Sequence, residues 1–369
     1  MADKRKPWKA GLLFLLAAAI AVPATALAEK PKATLEVLGS SAGMDEKAWE
    51  KHLIEGAKKE GELIWYTNSG LDNVEGFVRD FQKAYPFIKL KYWRGKTRAL
   101  NDKLLTEARA GVYKADVIKS SAGLLKPLID ADLLATYDPP VRKPYAADLK
   151  GKHWTALQTA LRVFGYNTDL VAKNDVPRTW NELLDPKWKG KVMWDTSSQP
   201  EVTALLLRWG KEKTDDYFKA FAANKPAVRR GRTVLAQMAA AGERPLAVTI
   251  YAYKAEQLMN KGGAIDWVAQ DHTVGLVYPI SLANYAPNPY SAALFYDYLL
   301  SERGQAIRVK QGRLVSRPGV KAKYARVAEL ADDKRIVFIQ PDNATPLMKT
   351  AMAIEEKYLL KNVKRRKKK

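Results

Sequence analysis

The feature that most constrains the fold is a regular alternation of short apolar runs and amphipathic segments. Apolar runs at Leu63–Thr67, Ile88–Trp93 and Ala115–Lys119 predict β-strands. The intervening segments, Leu71–Tyr85 and Arg98–Ala110, carry apolar residues at helical spacing and predict helices. Alternation of this kind predicts an α/β fold built on a mostly parallel sheet.

Two longer β-like stretches, Trp154–Asn167 and Val274–Asn284, interrupt this alternation. Further helices are predicted at Glu201–Trp209, Asp215–Ala223 and Pro346–Leu360. With 369 residues, the chain is long enough for two domains of ordinary size.

The first 28 residues have the three parts of a secretory signal peptide. A basic segment ending at Lys9, an apolar run at Gly11–Val22 and a small-residue cleavage site at Ala26–Ala28 follow in that order. The apolar run is shorter than the roughly 20 residues that a membrane-spanning helix needs. We therefore expect an exported, periplasmic protein whose mature chain begins near Glu29.

Composition narrows the possible chemistry. The chain has 0 cysteines, which excludes disulfides, thiolate metal sites, cysteine nucleophiles and a lipid anchor on cysteine. The signal segment and the basic tail from Lys361 to Lys369 carry close to half of the net charge of +22. The remaining positive charge suits anionic small molecules or an anionic membrane face, and export argues against nucleic acid as the partner.

The stretch Leu246–Tyr253 reads LAVTIYAY and predicts a buried strand that passes into a helix. Strand alternation puts Tyr251 and Tyr253 on one face of the strand. The other face then carries Leu246, Val248, Ile250 and Ala252. Ligands of open α/β sheets bind at the carboxyl ends of strands, so both phenols are candidate ligand contacts. The alternative is that they are core aromatics with bonded hydroxyls.

Several segments in this order resemble type II periplasmic solute-binding proteins of ABC importers, specifically the ferric-iron-type extracellular solute-binding group. The similar segments are AKKEGELIWYT (57–67), LLTEARAGVYKADVI (104–118), VFGYNTDLV (163–171), PRTWNELLDPKWKGKV (177–192) and LLSERGQAI (299–307). The resemblance implies a two-lobed periplasmic binding protein type II fold. Its two mostly parallel sheets with flanking helices would be joined by two crossing strands, and the lobes would close on a ligand.

On that resemblance we expect five parts. They are a signal peptide at 1–28, the first part of lobe 1 at 29–158, lobe 2 at 159–273, the return part of lobe 1 with C-terminal helices at 274–360, and a basic disordered tail at 361–369.

The resemblance also bears on iron. Ferric members of the group hold iron with adjacent tyrosinates, and the hard Fe³⁺ ion suits phenolate oxygen. Here Tyr251 matches the first tyrosine, but Ala252 separates it from Tyr253. The loop after the first strand, 68–70, lacks the histidine of many ferric members, and the three histidines are predicted to be surface or core residues: His52, His153 and His272. Tyr251 and Tyr253 therefore stay open as metal ligands.

Anion binding has its own candidates. Thr196, Ser197 and Ser198 precede a helix at the place where the group binds an anion, and free amides there attract negative charge. A plain N-cap is the alternative interpretation. Arg232 matches a position that resembles an asparagine in ferric members and would offer a fork to a carboxylate or phosphonate. Arg162 in the first crossing stretch, and Asn68 and Ser69 after the first strand, complete the predicted site.

The leading hypothesis is the periplasmic substrate-binding component of an ABC importer, acting as a monomer with an inner-membrane permease and without nucleic acid. Its ligand is ferric iron with a synergistic anion, or a carboxylate or phosphonate without metal. No resident cofactor is predicted. An exported enzyme on the same fold is disfavoured because no nucleophile–base set is visible. A basic protein that binds membrane or polyanion through its tail is the remaining alternative.

Overall fold

The structure is a computed structural model that describes residues 30–331 and 333–361. The predicted signal peptide and the tail beyond Lys361 lie outside the described residues. The strands are β1 (Glu62–Thr67), β2 (Lys89–Arg94), β3 (Val117–Lys119), β4 (Lys150–Gly151), β5 (Trp154–Asn167), β6 (Val192–Asp195), β7 (Ala227–Arg229), β8 (Leu246–Tyr251), β9 (Ile265–Val268), β10 (Val274–Leu282), β11 (Leu314–Val315) and β12 (Val337–Ile339).

Helices cover the sheet, as the alternation predicts. None of those in the described part of the chain is both long and apolar enough to cross a membrane. The α-helices are α1 (Thr34–Leu38), α2 (Glu46–Glu60), α3 (Leu71–Ala84), α4 (Thr97–Arg109), α5 (Lys126–Asp130), α6 (Gln199–Ala223), α7 (Arg232–Ala240), α8 (Ala252–Met259), α9 (Pro289–Leu300), α10 (Glu302–Lys310), α11 (Ala325–Ala331) and α12 (Pro341–Glu355).

The sheet order is β2-β1-β3-β10-β5-β8-β6-β7. Strands β1 to β3 pair in parallel in the first lobe, and β6 to β8 pair in parallel in the second lobe. Between them β5 and β10 pair antiparallel and join the two halves. Every residue of β5 is buried because the strand runs through the middle of the molecule. The two-lobed α/β fold is confirmed, with its two parallel halves hydrogen-bonded through the crossing strands.

Each lobe has an aromatic core. In the first, Trp65 of β1 contacts Phe295 of α9 edge-on, with ring centroids 5.3 Å apart. In the second, Trp194 of β6 packs against Phe218 of α6 at 5.6 Å. Burial of such large rings contributes to the hydrophobic driving force for the folding of each lobe.

The chain after β10 divides between the lobes. Helix α9 packs in the first-lobe core, whereas α12 contributes Ala351 and Ile354 to the second-lobe core. The predicted boundary between 158 and 159 falls within β5, so this crossing strand belongs to both lobes. The predicted domain limits remain predictions.

Two helix boundaries differ from the expectation. The predicted pair Glu201–Trp209 and Asp215–Ala223 forms one element, α6, which is interrupted at Gly210, where φ is 77° and ψ is 178°. The last helix begins at Pro341 rather than near Pro346, since proline is tolerated in the first turn and α12 accommodates the second one internally.

Candidate site at the junction of the lobes

The end of β8 is shaped by a β-bulge. Val163 of β5 faces Ile250 and Gly165 faces Ala247, so two residues of β8 oppose one residue of β5. Thr249, within the bulge, has a φ of 70°. The bulge reverses the alternation: Leu246 and Val248 pack in one core, whereas the opposite core receives Ala247, Ile250 and Ala252. The predicted common face of Leu246, Val248, Ile250 and Ala252 is therefore wrong.

Three tyrosines converge at this point. The strand ends at Tyr251, and Tyr253 lies in the first turn of α8 rather than on the strand. Their ring centroids are nevertheless 5.2 Å apart. The hydroxyl of Tyr278, in β10, lies 3.5 Å from that of Tyr251. Tyr251, Tyr253 and Tyr278 are all half-buried, and we call them the phenol cluster.

Cations surround the phenol cluster. The guanidinium carbon of Arg162 lies 4.6 Å from the Tyr251 ring centroid. That of Arg313 lies 4.3 Å from the ring of Tyr253. Lys119 Nζ lies 4.9 Å from the Tyr278 ring. Burial raises the pKa of Tyr253, which Arg313 partly opposes, and burial with the nearby Tyr251 raises that of Tyr278.

The second-lobe arginines are paired with carboxylates. Arg162 Nη1 donates to Glu201 Oε1 at 2.9 Å, and Arg232 Nη1 lies 2.9 Å from Asp195 Oδ1. Burial opposes the charge of Arg162, but Tyr251 and Glu201 outweigh it and hold its pKa above the usual value. The predicted free fork of Arg232 is instead engaged by Asp195 and by Ser197 and Ser198.

The amides at the start of α6 are also engaged. Thr196 N–H donates to Arg229 O at 2.9 Å, and Ser197 N–H donates to Asp195 Oδ1 at 2.9 Å. Ser198 N–H donates to Glu355 Oε1 at 3.0 Å. An anion at this helix terminus would have to displace the protein's own carboxylates. Ligand contact by Thr196, Ser197 and Ser198 stays a prediction.

Asn68 lies on the first-lobe side. Its amide donates to Thr97 Oγ1 at 2.8 Å and to Ser121 Oγ at 3.0 Å, and its Oδ1 accepts from Lys119 Nζ at 2.6 Å. Ser69 is buried, and its amide donates to Thr67 Oγ1 at 3.1 Å. The structure therefore connects Asn68, through Lys119, to the phenol cluster.

Three functional candidates on the first-lobe side were not predicted. Lys119, Arg308 and Arg313, the first-lobe cation cluster, come from the end of β3, from α10 and from the residue before β11. The strand-end rule that singles out Tyr251 applies equally to Lys119. Tyr278 lies on a strand that the sequence does predict, but no local pattern marks it. Arg308 and Arg313 carry no recognisable signal.

The histidines lie elsewhere. His52 and His153 each bond a backbone carbonyl, of Leu38 and Leu134, and the indole of Trp209 contacts His272. Among the described residues no group of three or more histidine, cysteine, aspartate or glutamate side chains could hold a metal. A ferric ion at this junction would therefore depend on phenolate oxygens.

Residues 113–342 match the family described as bacterial extracellular solute-binding protein. The chain belongs to this family. It is 28% identical over 274 residues to an uncharacterized protein of Haemophilus influenzae, covering 69% of this chain and 78% of that one. It is also 28% identical over 223 residues to iron uptake protein A1 of Synechocystis, covering 56% of this chain and 58% of that one.

Solved structures agree with this solute-binding family. The chain superimposes on iron-bound HitA from Pseudomonas aeruginosa with a TM-score of 0.69 at 22% identity, covering 81% of this chain and 99% of HitA. It superimposes on AfuA from Actinobacillus pleuropneumoniae, with fructose-6-phosphate bound, with a TM-score of 0.62 at 21% identity, covering 81% and 99%. At these identities the likeness establishes the two-lobed fold.

Proposed function

We propose that this solute-binding protein is the periplasmic substrate-binding component of an ABC importer, and that it captures a small anionic solute between its lobes. The closed, loaded form would then dock on an inner-membrane permease. The family supports the binding role, and the crossing strands supply the connection about which two lobes close.

One observation carries the choice of an anion. Around the phenol cluster, Arg162 is paired with Glu201, whereas the three first-lobe cations have no ion pair with any carboxylate of the described chain. Positive charge buried without a counter-ion is costly, so a bound anion would be stabilised there. The site is therefore more suitable for a negatively charged solute than for a bare cation.

The test is a thermal-shift screen of the exported chain from Glu29 with phosphate, phosphonates, small carboxylates and neutral sugars. A ligand that binds only the folded state increases the free energy of unfolding, by about 2.7 kcal/mol at one hundred times its Kd, and therefore raises the melting temperature. Anionic compounds should shift the transition and neutral sugars should not. A neutral solute that shifts it more than every anion would reject the proposal.

A second candidate ligand is ferric iron held with a synergistic anion. The convergence of Tyr251, Tyr253 and Tyr278 favours it, because phenolates are hard oxygen ligands and an accompanying anion would face the cations. The iron-named relative and the iron-bound HitA structure support the same candidate.

Iron binding has a direct readout, since tyrosinate-bound Fe³⁺ absorbs visible light. The exported chain should colour on addition of ferric citrate, and both Tyr251→Phe and Tyr278→Phe should bleach the colour. Tyr113→Phe, a half-buried first-lobe tyrosine outside the cluster, is the control. A wild-type protein that stays colourless while binding metal-free anions would leave only the first candidate.

We infer that the protein is monomeric, has no catalytic activity and does not bind nucleic acid, and that its signal peptide is removed near Ala28. The predicted lobe limits at 158 and 273 are part of the proposal as well. Deleting residues 364–369 should leave ligand affinity unchanged, whereas loss of binding would favour a function that resides in the basic tail.

A further inference from the structure

We propose that the first-lobe cation cluster, Lys119, Arg308 and Arg313, binds a phosphoryl or phosphonyl group of the transported solute. This inference rests on the proposed capture of an anion. It adds the position of the charged group and its chemical class.

The cluster has hydrogen-bond donors to spare. Lys119 Nζ makes one hydrogen bond, to Asn68, although an ammonium group can donate three. Arg308 donates to Gln311 Oε1 at 2.6 Å, and its Nε is buried without a partner. Arg313 Nε is likewise buried and unpartnered. Orphaned donors on buried cations are rare in folded proteins unless a ligand or water uses them.

The cluster also lacks compensating charge. Lys119 is only 4% exposed and Arg308 only 2% exposed, and neither has an ion pair within the described chain. Burial, with repulsion from Arg308 and Arg313, lowers the pKa of Lys119 to about 7. Burial and Arg313 lower that of Arg308 to about 9. Lys119 and Arg313 both reach the phenol cluster, at the rings of Tyr278 and Tyr253, and a dianion bound there would offset their positive charge.

The opposite side of the junction is unsuited to the same group. At the start of α6, the amides of Ser197 and Ser198 already donate to Asp195 and Glu355, so an incoming anion would have to displace these side chains. The charged group of the solute is therefore directed to the first lobe.

Geometry favours a tetrahedral group. The three cations approach from three separate elements, whereas a planar carboxylate is satisfied by a single arginine fork. A –PO₃ group presents three oxygens in different directions and carries up to two charges. The rest of the solute would then contact the phenol cluster, since Lys119 lies against Tyr278 and Arg313 lies against Tyr253.

The experiment is calorimetric titration of the exported chain with inorganic phosphate, methylphosphonate, fructose 6-phosphate, sulfate and acetate. Tetrahedral anions should bind and acetate should not. The bound group could be inorganic phosphate or the phosphoryl group of a larger solute. Whichever of phosphate and fructose 6-phosphate resembles the transported solute should bind at least tenfold more tightly than the other. Lys119→Gln and Arg313→Gln should each weaken binding tenfold or more. Arg79→Gln, with a first-lobe side chain 75% exposed, is the charge-matched control.

Two further readouts separate binding from folding. Lys119→Gln removes a buried unpaired charge, so the ligand-free variant should melt no lower than the wild type while it loses affinity. Sulfate does not titrate near neutrality, so its binding at pH 8 should take up a proton through Lys119. This uptake, measured in buffers of different ionisation enthalpy, should vanish in Lys119→Gln.

The outcomes distinguish the two proposals. If carboxylates bind and the Lys119 and Arg313 variants bind them as well as the wild type does, this inference fails and anion capture stands. If tetrahedral anions bind with unchanged affinity in both variants, the position is wrong. If no anion binds the wild type, the proposed capture of an anion fails with it.

Discussion

Two buried carboxyl groups join distant parts of the chain through single side chains. Asp116 accepts from the amides of Ile64 and Asn288, at 2.7 and 2.8 Å. Glu355 accepts from Trp194 Nε1 at 3.1 Å and from Ser198 N–H. Burial raises the pKa of each to about 7. Since an unfolded carboxyl titrates near 4, the folded state holds protons that the unfolded state releases between these values.

The contribution of Asp116 and Glu355 to the free energy of unfolding should therefore be greatest below about pH 4.5, and it should be lost as the pH rises to about 7. Glu355→Gln keeps an acceptor for Trp194 and Ser198 but cannot ionise. We expect the decline between pH 5 and pH 8 to be smaller in this variant, by about 1.4 kcal/mol for each unit of pKa shift removed.

Urea unfolding at four pH values measures the slope of the unfolding free energy against pH. Glu302→Gln, an exposed substitution in α10, should keep the wild-type slope. An unchanged slope in Glu355→Gln would show that Glu355 is ionised throughout the range.

At the scale of elements, the sequence predicts what local patterns determine. The strands β1 to β3, the long crossing strands and the interruption of the α6 region all appear where apolar spacing and turn residues put them. The bulge in β8 could not be predicted, because Thr249 is a β-branched residue that disfavours positive φ and no glycine marks the position. The carboxylate at the start of α6 was equally hidden, since Glu355 lies 157 residues from Ser198.

The interruption of α6 depends on one glycine. Gly210 has a positive φ with ψ near 180°, a region that only glycine adopts readily, and a Cβ there would meet no atom within 4 Å. Gly210→Ala should therefore cost about 1–3 kcal/mol from backbone strain alone.

Denaturant unfolding of Gly210→Ala, compared with Glu212→Ala two residues later, isolates this strain. Glu212 is exposed in the same helix, and its replacement should change stability by less than about 0.5 kcal/mol. Equal stability of the two variants would mean that α6 can straighten through residue 210 without penalty.

At the scale of the whole molecule, α12 contacts both lobes. Met348 and Ala344 lie against the turn at Gly123 in the first lobe, where a Cβ on the glycine would be 2.5 Å from Met348 Cε. Further along the same helix, Ala351 and Ile354 enter the second-lobe core. Helix α12 therefore links the two bodies that are expected to move relative to each other.

The stability of the second lobe should depend on this helix. Ile354 is 4% exposed, and Ile354→Ala should cost about 2–4 kcal/mol through lost burial and the cavity left behind. Met352→Ala, two residues earlier and 50% exposed, should be nearly neutral. Thermal unfolding of both variants tests this, and similar melting temperatures would contradict the assignment of α12 to the second-lobe core.

The position of α12 has a consequence for biogenesis. If the chain is exported with its amino terminus first, as proposed, β6, α6 and β8 emerge well before residues 341–355. The second lobe cannot complete its core until that late helix arrives, so its early segments stay incompletely packed during translocation. A late-arriving core helix would thus couple the maturation of one lobe to the passage of nearly the whole polypeptide.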